Sequence, residues 1–334
     1  MEKNKNFIIT LTGDPGSGKS TTYAQLKKCF ESEGYDVIKY STGAIFRKYA
    51  QKWIEKNPGT DISDFNKYVE SHPEIDKLID DEVKKINIRL KENYQPNKIF
   101  IIDSRMAWKF IPDSLKVRLT IDKNISGKRI FEDSTRDIED TYSTLEEAIQ
   151  ATVTRKESER QRYLKLYNVD LEDKNNYDLV IDTSHADIKD IVETIYRCAH
   201  LKMEDKHFEK KWKNPKYFLP TQNFRDCSSK KIDEILNSIK DNNYDTNSLI
   251  YSTNFEGYDY VLDGHHRVIS SILAEKTLIP YETHKGNYEE ISCYNPSYAY
   301  DIEDIANFRY TEVYNSYPNP RLNSIRNDNK FDER

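Results

Sequence analysis

The sequence predicts an α/β protein: a parallel sheet with helices on both faces, followed by a smaller α+β domain. Three observations carry that prediction. Short apolar, β-branched runs alternate with helical patterns through about residue 200. The first run leads into "GDPGSGKS" at 13–20, a glycine-rich turn that opens a helix. A second strand–turn–helix pattern, centred on "DGHHR" at 263–267, follows a shift in composition.

The elements follow in order. "FIITLT" at 7–12 is apolar and bounded by the glycine turn, so it reads as a buried parallel strand. A helix should run from near Lys19 to about Phe30. "DVIKY" at 36–40, "KIFIID" at 98–103, "KVRLTID" at 116–122 and "YDLVID" at 177–182 are the next strands. Between them lie the helical patterns "DISDFNKYVE", "EIDKLIDDEVKKINIRL" and "TLEEAIQATVTRKESERQRYLKLY", and "DIKDIVETIYRCAHL" closes the unit. Such alternation means a doubly covered parallel sheet. These features set a first domain at 1–201.

The charged stretch 202–215 reads as a linker or a loosely packed helix. The second domain, 216–334, starts with the short strand "YFLP" and the helix "SSKKIDEILNSIKD", with Ser228 or Ser229 as its N-cap. "SLIYST" and "YDYVLD" are strands, "HRVISSILAEK" a helix and "LIPYET" a last strand. The final forty or so residues are rich in Asn, Tyr and Pro, and common connection lengths argue against a single loop.

Composition narrows the function. Of 334 residues, 37% are hydrophobic, enough for real cores, and the net charge is −6. No global basic field attracts nucleic acid, so nucleic acid is not an expected partner. The longest apolar runs, such as "IFII" at 99–102, are too short to cross a bilayer, and the N-terminus lacks the apolar core of a signal peptide. A cytoplasmic protein is expected. Cys29, Cys198, Cys227 and Cys293 are widely spaced with no C-x-x-C pair, which suits reduced thiols better than a zinc or redox site.

"GDPGSGKS" fits the phosphate-loop pattern G-x-x-x-x-G-K-[ST] without mismatch. Gly13, Gly16 and Gly18 let the backbone curl round an anion, with Ser17 between them and Thr21 just inside the helix. Backbone N–H groups and the helix N-terminus then point at phosphate. Lys19 would neutralise β- and γ-oxygens, and the Ser20 hydroxyl would reach Mg²⁺. The expected ligand is therefore ATP with Mg²⁺. Asp103 ends a strong strand and is either a metal-holding acid or a strand-end turn aspartate. Arg105, two residues on, and Arg47, after the second strand, face the ligand crevice and suit a phosphate. On the helix "TRKESERQRYLKLY", Arg155 and Arg162 share a face and Arg160 is offset; spacing alone reads as a solvated charged helix.

Together these motifs resemble the archaeal-type cytidylate kinases, within the nucleoside monophosphate kinases, over residues 7 to about 200. "TGDPGSGKST", "STGAIFRKYA", "DISDFNKYVESHPEIDKLIDDEV" and "RKESERQRYLKLYNVDLEDKNNYDLVIDTS" are similar to that family's motifs. The resemblance implies that Arg47 and Arg105 hold an acceptor monophosphate, with Ser41 and Asp103 near the acceptor and the metal. It implies that Arg155 and Arg160, with Arg129 at the start of a lid, embrace the transferring phosphoryl group. The sequence departs from the family in three places: Asp-Ser stands before Arg105 where relatives often have Glu-Gly, Lys156 replaces a usual Glu, and "KNISGKRIFEDSTRD" is longer and more acidic.

In "YDYVLDGHHRVISSILAEK", Asp263 and Gly264 make a turn, and His265, His266 and Arg267 open a helix. Helix N–H groups and cationic side chains would meet there, as an anion needs. Adjacent histidines diverge, which disfavours zinc. Residues 216 to about 283 resemble the ParB/sulfiredoxin-like fold, with the DGHHR form of its free-serine-kinase branch and, in "LPTQNFR", a ParB-like segment ending at Arg225. The resemblance implies a second nucleotide or phosphate site. The branch's glutamate base is here Gln222, which takes no proton, and Asp226 is the alternative.

Three functions remain open at this level. One is phosphoryl transfer to CMP or dCMP. Another is a kinase acting on a modified nucleotide or a small hydroxyl metabolite such as free serine. The third is a nucleotide-sensing or nucleic-acid-associated binding protein. The oligomeric state is not encoded in any motif.

Overall fold

The computed structural model describes residues 6–133, 142–220, 229–242, 249–255 and 258–284. They fall into two units. The first holds the described residues up to 184 together with 191–208; residues 185–190 group with the second, which continues from 209.

In the first unit the strands are β1 (Phe7–Gly13), β2 (Asp36–Ser41), β3 (Lys98–Asp103), β4 (Leu115–Thr120) and β5 (Leu179–Asp182). They are parallel, in the order β2-β3-β1-β4-β5. The helices are α1 (Lys19–Ser32), α2 (Thr42–Lys56), α3 (Ile62–Ser71), α4 (Glu74–Glu92), α5 (Ala107–Phe110), α6 (Lys123–Glu132), α7 (Leu145–Tyr167) and α8 (Ile188–Met203). Strands β1, β3, β4 and β5 are largely buried on both faces, as their apolar runs require, while the edge strand β2 is partly exposed. Ile8, Phe100 and Ile102 pack with Val83, Ile86 and Leu90 of α4 on one face. Strand alternation turns Ile9, Leu11, Ile99 and Ile101, all fully buried, to the other.

Local chemistry sets the helix ends. Asp61 and Asp64 form a reciprocal capping box at the start of α3. The Thr144 hydroxyl accepts from the Glu147 N–H to begin α7, and Asn168, in the left-handed region, ends it. The Asp122 carboxylate accepts from the N–H groups of Asn124 and Ile125, which stops β4 short and starts α6. A glycine in mid-helix obscures α6 in the sequence. Gly127 is required there, because a Cβ would lie 2.3 Å from the Ile149 side chain of α7.

The second unit contains β6 (Lys211–Lys213), β7 (Phe218–Pro220), α9 (Ser229–Asn242), β8 (Ile250–Phe255), β9 (Tyr258–Asp263), α10 (His265–Leu273) and β10 (Ile279–His284). Its sheet runs β6-β10-β8-β9-β7 with mixed polarity. Phe218, Ile232, Ile239, Ile250, Val261, Val268, Ile269 and Ile279 belong to its core. The stretch expected to be a linker or loose helix differs: α8 runs on to Met203, and Lys211–Lys213 pairs with β10. Trp212 is 2% exposed between two lysines, an alternation too short to be read as a strand. No helix among the described residues is long and apolar enough to cross a membrane.

Candidate active site

The site lies at the carboxyl ends of β1 and β3, where a parallel sheet opens a crevice between its loops. The phosphate loop leaves β1 at Gly13. Gly16 and Gly18 have φ of 71° and 82°, and a Cβ on Gly16 would also crowd Ser126 of α6. The Ser17 hydroxyl donates to the Asp14 carbonyl at 2.7 Å, as does its N–H at 3.2 Å. Helix α1 then begins at Lys19, with no side chain capping its N–H groups. The Lys19 ammonium folds across the loop and donates to the carbonyls of Gly13 and Asp14 at 2.7 and 3.1 Å. Burial, then the charge of Arg105, lowers its pKa to about 7, against the opposing pull of Asp103, Glu159 and Asp14. A buried ammonium held by neutral carbonyls gains most from an anionic oxygen, so the loop fits a nucleotide phosphate.

The β2–β3 register sets Ser41 beside Asp103. The Ser41 hydroxyl donates to Asp103 at 3.4 Å while it caps α2. Both line a cavity of about 440 Å³ with the phosphate loop, Ser20, Thr21, Arg47, Arg105, Arg129 and Arg155. Arg129 donates to the carbonyls of Thr183 and Ser184 at 2.9 and 3.1 Å, and lies 3.4 Å from that of Gly16. Burial moves its pKa down, only partly offset by Asp182. Arg105 donates to the Gly13 carbonyl and grips Glu159 with two N–H groups. Glu159 also meets Arg155 at 3.3 Å. Burial pushes the Glu159 carboxyl up, but Arg105 and Arg155 outweigh it and hold the group well below the usual range.

The arginines of α7 part company. Arg155 and Arg162 both line the cavity. Arg160, expected at the site, instead donates to both oxygens of Asp170 at 2.9 and 2.8 Å and does not line the cavity. Its offset from the other two on the helix is the reason. Arg162 meets Asp76 of α4 at 3.2 Å, and Asp76 is 3% exposed. Burial raises the Asp76 pKa against the pull of Arg162. Asp76 and Glu159 were not singled out from the sequence, and Arg162 was read there only as part of a solvated charged face. The available signal was the spacing 155, 159, 162, which is one helical stripe. Of the stretch 123–137, residues 134–137 lie outside the described residues.

In the second unit, Gly264 has φ of 105° and begins α10. The cationic histidine expected there is corrected at His265. It is 2% exposed, and burial, then His266 and Arg267, push its pKa down to about 3, so it is neutral. Burial, Lys231 and Arg267 also lower the pKa of His266. Arg267 turns back to donate to the Leu249 carbonyl and to Asp263. Gln222, Arg225 and Asp226 lie outside the described residues.

Comparison with known proteins agrees with this geometry. Residues 8–185 match the cytidylate kinase-like family. The cytidylate kinase of Archaeoglobus fulgidus is 32% identical over 195 residues, 58% of this chain and 95% of that one. That of Methanocaldococcus jannaschii is 33% identical over 192 residues, 55% and 93% of the two chains. That of Pyrobaculum neutrophilum is 30% identical over 200 residues, 59% and 96%. A parallel sheet, a phosphate loop on its central strand and an arginine-lined cavity thus meet a family match over more than half of the sequence: this chain is a P-loop kinase and belongs to the cytidylate kinase-like family.

Proposed function

We propose that the first unit transfers the γ-phosphoryl group of ATP to a nucleoside monophosphate, with CMP and dCMP as preferred acceptors. The observation that carries the acceptor is the Asp76–Arg162 pair in the cavity wall. A carboxylate beside a guanidinium offers an acceptor next to donors. Cytosine presents the complement, an exocyclic amine beside a ring nitrogen and a carbonyl. Uracil would set its O4 against the carboxylate, and a site built on buried polar groups rejects such mismatches strongly. Adenine shares the amine-and-nitrogen edge, so AMP is the competitor to include. The names of the relatives above support the pyrimidine.

In this reading residues 13–21 cradle the donor phosphates, and Lys19 neutralises their oxygens. Arg47 and Arg105 hold the acceptor phosphate, while Arg129 and Arg155 face the transferring group. A bound Mg²⁺ would supply further charge neutralisation, with Ser20 and Asp103 as the residues that hold it or its waters. An acceptor phosphate oxygen bonds to the γ-phosphorus as the bond to the β–γ bridging oxygen breaks and ADP leaves. That oxygen is already ionised at neutral pH, so no general base is needed. The arginines contribute orientation and charge.

For the second unit we propose, from the ParB/sulfiredoxin-like resemblance, a phosphate or nucleotide site at Asp263–Arg267. The left-handed Gly264 and an α10 start without a side-chain cap support it. The site would rest on backbone N–H groups and Arg267 rather than on His265.

The test is phosphoryl transfer from ATP·Mg to CMP, dCMP, UMP, AMP, GMP and free serine, with Lys19→Ala and His266→Ala beside the wild type. Turnover of CMP or dCMP that only Lys19→Ala abolishes supports the reading. No transfer to any nucleotide, or serine consumption that depends on His266, overturns it.

A further inference from the structure

The phosphate loop contains a carboxylate. Asp14 directly follows Gly13, and its side chain is 6% exposed. Its carbonyl is one of the two oxygens that hold Lys19, so the residue is part of the cradle itself. An anion at that place opposes the binding of a polyanion unless something cancels it, and low-dielectric surroundings enlarge the penalty.

Three side chains close a ring of alternating charge with it. Arg118 of β4 meets Asp14 Oδ1 and Glu172 Oε1, both at 2.6 Å. Lys156 of α7 meets Asp14 Oδ2 at 3.2 Å and Glu172 Oε2 at 2.7 Å. Arg118 is 4% exposed and built into the sheet, whereas Lys156 is 36% exposed and follows the cavity-lining Arg155 on α7. The ring holds two cations and two anions, so each carboxylate faces two positive partners. Removing Lys156 leaves Arg118 to serve both Asp14 and Glu172. Burial pulls the Lys156 pKa down, but Asp14 and Glu172 outweigh it, so the group stays charged.

We infer that Lys156 is a positioning residue for the donor nucleotide: it neutralises Asp14 within the phosphate loop and fixes its carboxylate away from the bound phosphates. The inference rests on the proposal that this loop binds a nucleoside di- or triphosphate. It concerns donor binding alone and leaves the acceptor side of the cavity untouched.

The experiment is calorimetric binding of Mg·ADP to the full chain, with the KM for CMP and thermal stability measured alongside. The variants are Lys156→Met, Lys156→Arg, Asp14→Asn and the Asp14→Asn/Lys156→Met double variant. Lys156→Met should weaken Mg·ADP roughly tenfold, as expected for truncating one side of a partly buried charge pair. Lys156→Arg should stay near wild type, and the double variant should regain most of the affinity. The KM for CMP should stay within about threefold of wild type in every variant. Lys156→Gln replaces Lys156→Met in the comparison should the latter not fold. A fall in stability with unchanged Mg·ADP affinity, or no recovery in the double variant, overturns the inference and leaves the kinase reading intact. A wild-type chain that binds no Mg·ADP removes both.

Discussion

Arg105 and Glu159 form a two-pronged ion pair inside the cavity, Nε to Oε2 at 2.6 Å and Nη2 to Oε1 at 3.2 Å. One residue leaves β3 and the other lies on α7, so the pair joins the sheet to the helix that carries Arg155 and Arg162. Glu159 is the shared anion for Arg105 and Arg155, and without it those cations would repel one another across the cavity.

Glu159→Gln should therefore cost about 3 kcal/mol of stability at pH 7, because it leaves Arg105 buried without its charge partner. The Glu159 carboxyl is held below its unfolded value, so its contribution is fully present above the unfolded pKa and fades as pH falls. Urea titrations at pH 7 and at pH 3 should show the gap between variant and wild type narrowing in acid. A gap that is constant with pH would mean that packing, not charge, is what the substitution removes.

Asp76→Asn should change which base is accepted. An amide can present either its oxygen to an amine or its N–H to a carbonyl, so discrimination should collapse. We expect the ratio of kcat/KM for CMP over UMP to drop by roughly 10- to 100-fold. Steady-state kinetics with the two acceptors at fixed ATP measure this directly. An unchanged ratio would place base recognition elsewhere in the cavity.

Arg155 and Arg160 should separate in a mutational test. Arg155→Ala should lower kcat by about 100-fold or more, the usual effect of removing a cation from the transferring group. Arg160→Ala should leave kcat within about threefold, because that side chain is engaged by Asp170 at the helix surface. Equal losses in the two variants would show that α7 turns on substrate binding.

Lys19 should make donor binding depend on pH. Its pKa of about 7 in the free protein means that it is largely neutral above that pH. A bound phosphate favours the ammonium, so binding above pH 7 must take up a proton. The dissociation constant for Mg·ADP should rise with pH between about 7 and 9, approaching tenfold per unit. Calorimetry in buffers of different ionisation enthalpy would report the proton uptake, and its absence would sink the expectation.

The sequence by itself determined the features written in local pattern. The phosphate loop is contiguous, because glycines, Lys19 and Ser20 must follow one another to wrap an anion. The alternation of strands and helices is legible because buried parallel strands are apolar throughout while their helices have one apolar stripe. Asp103 and Arg105 were visible as groups at a strand end, where a parallel sheet opens its crevice.

Only the tertiary structure decided which face of α7 turns inward. The close approach of Gly127 in α6 to Ile149 helps set that face, and the two residues are 22 apart in the chain. Arg155, Glu159 and Arg162 reach the cavity as a result, and Arg160 is left to Asp170. The pairing of Asp76 with Arg162 joins residues 86 positions apart, and the ring ties Asp14 to Arg118 and Lys156, 104 and 142 positions on, beyond any local period. His265 was wrongly expected to be cationic for the same reason, since its charge depends on burial by other elements and not on its neighbours in sequence.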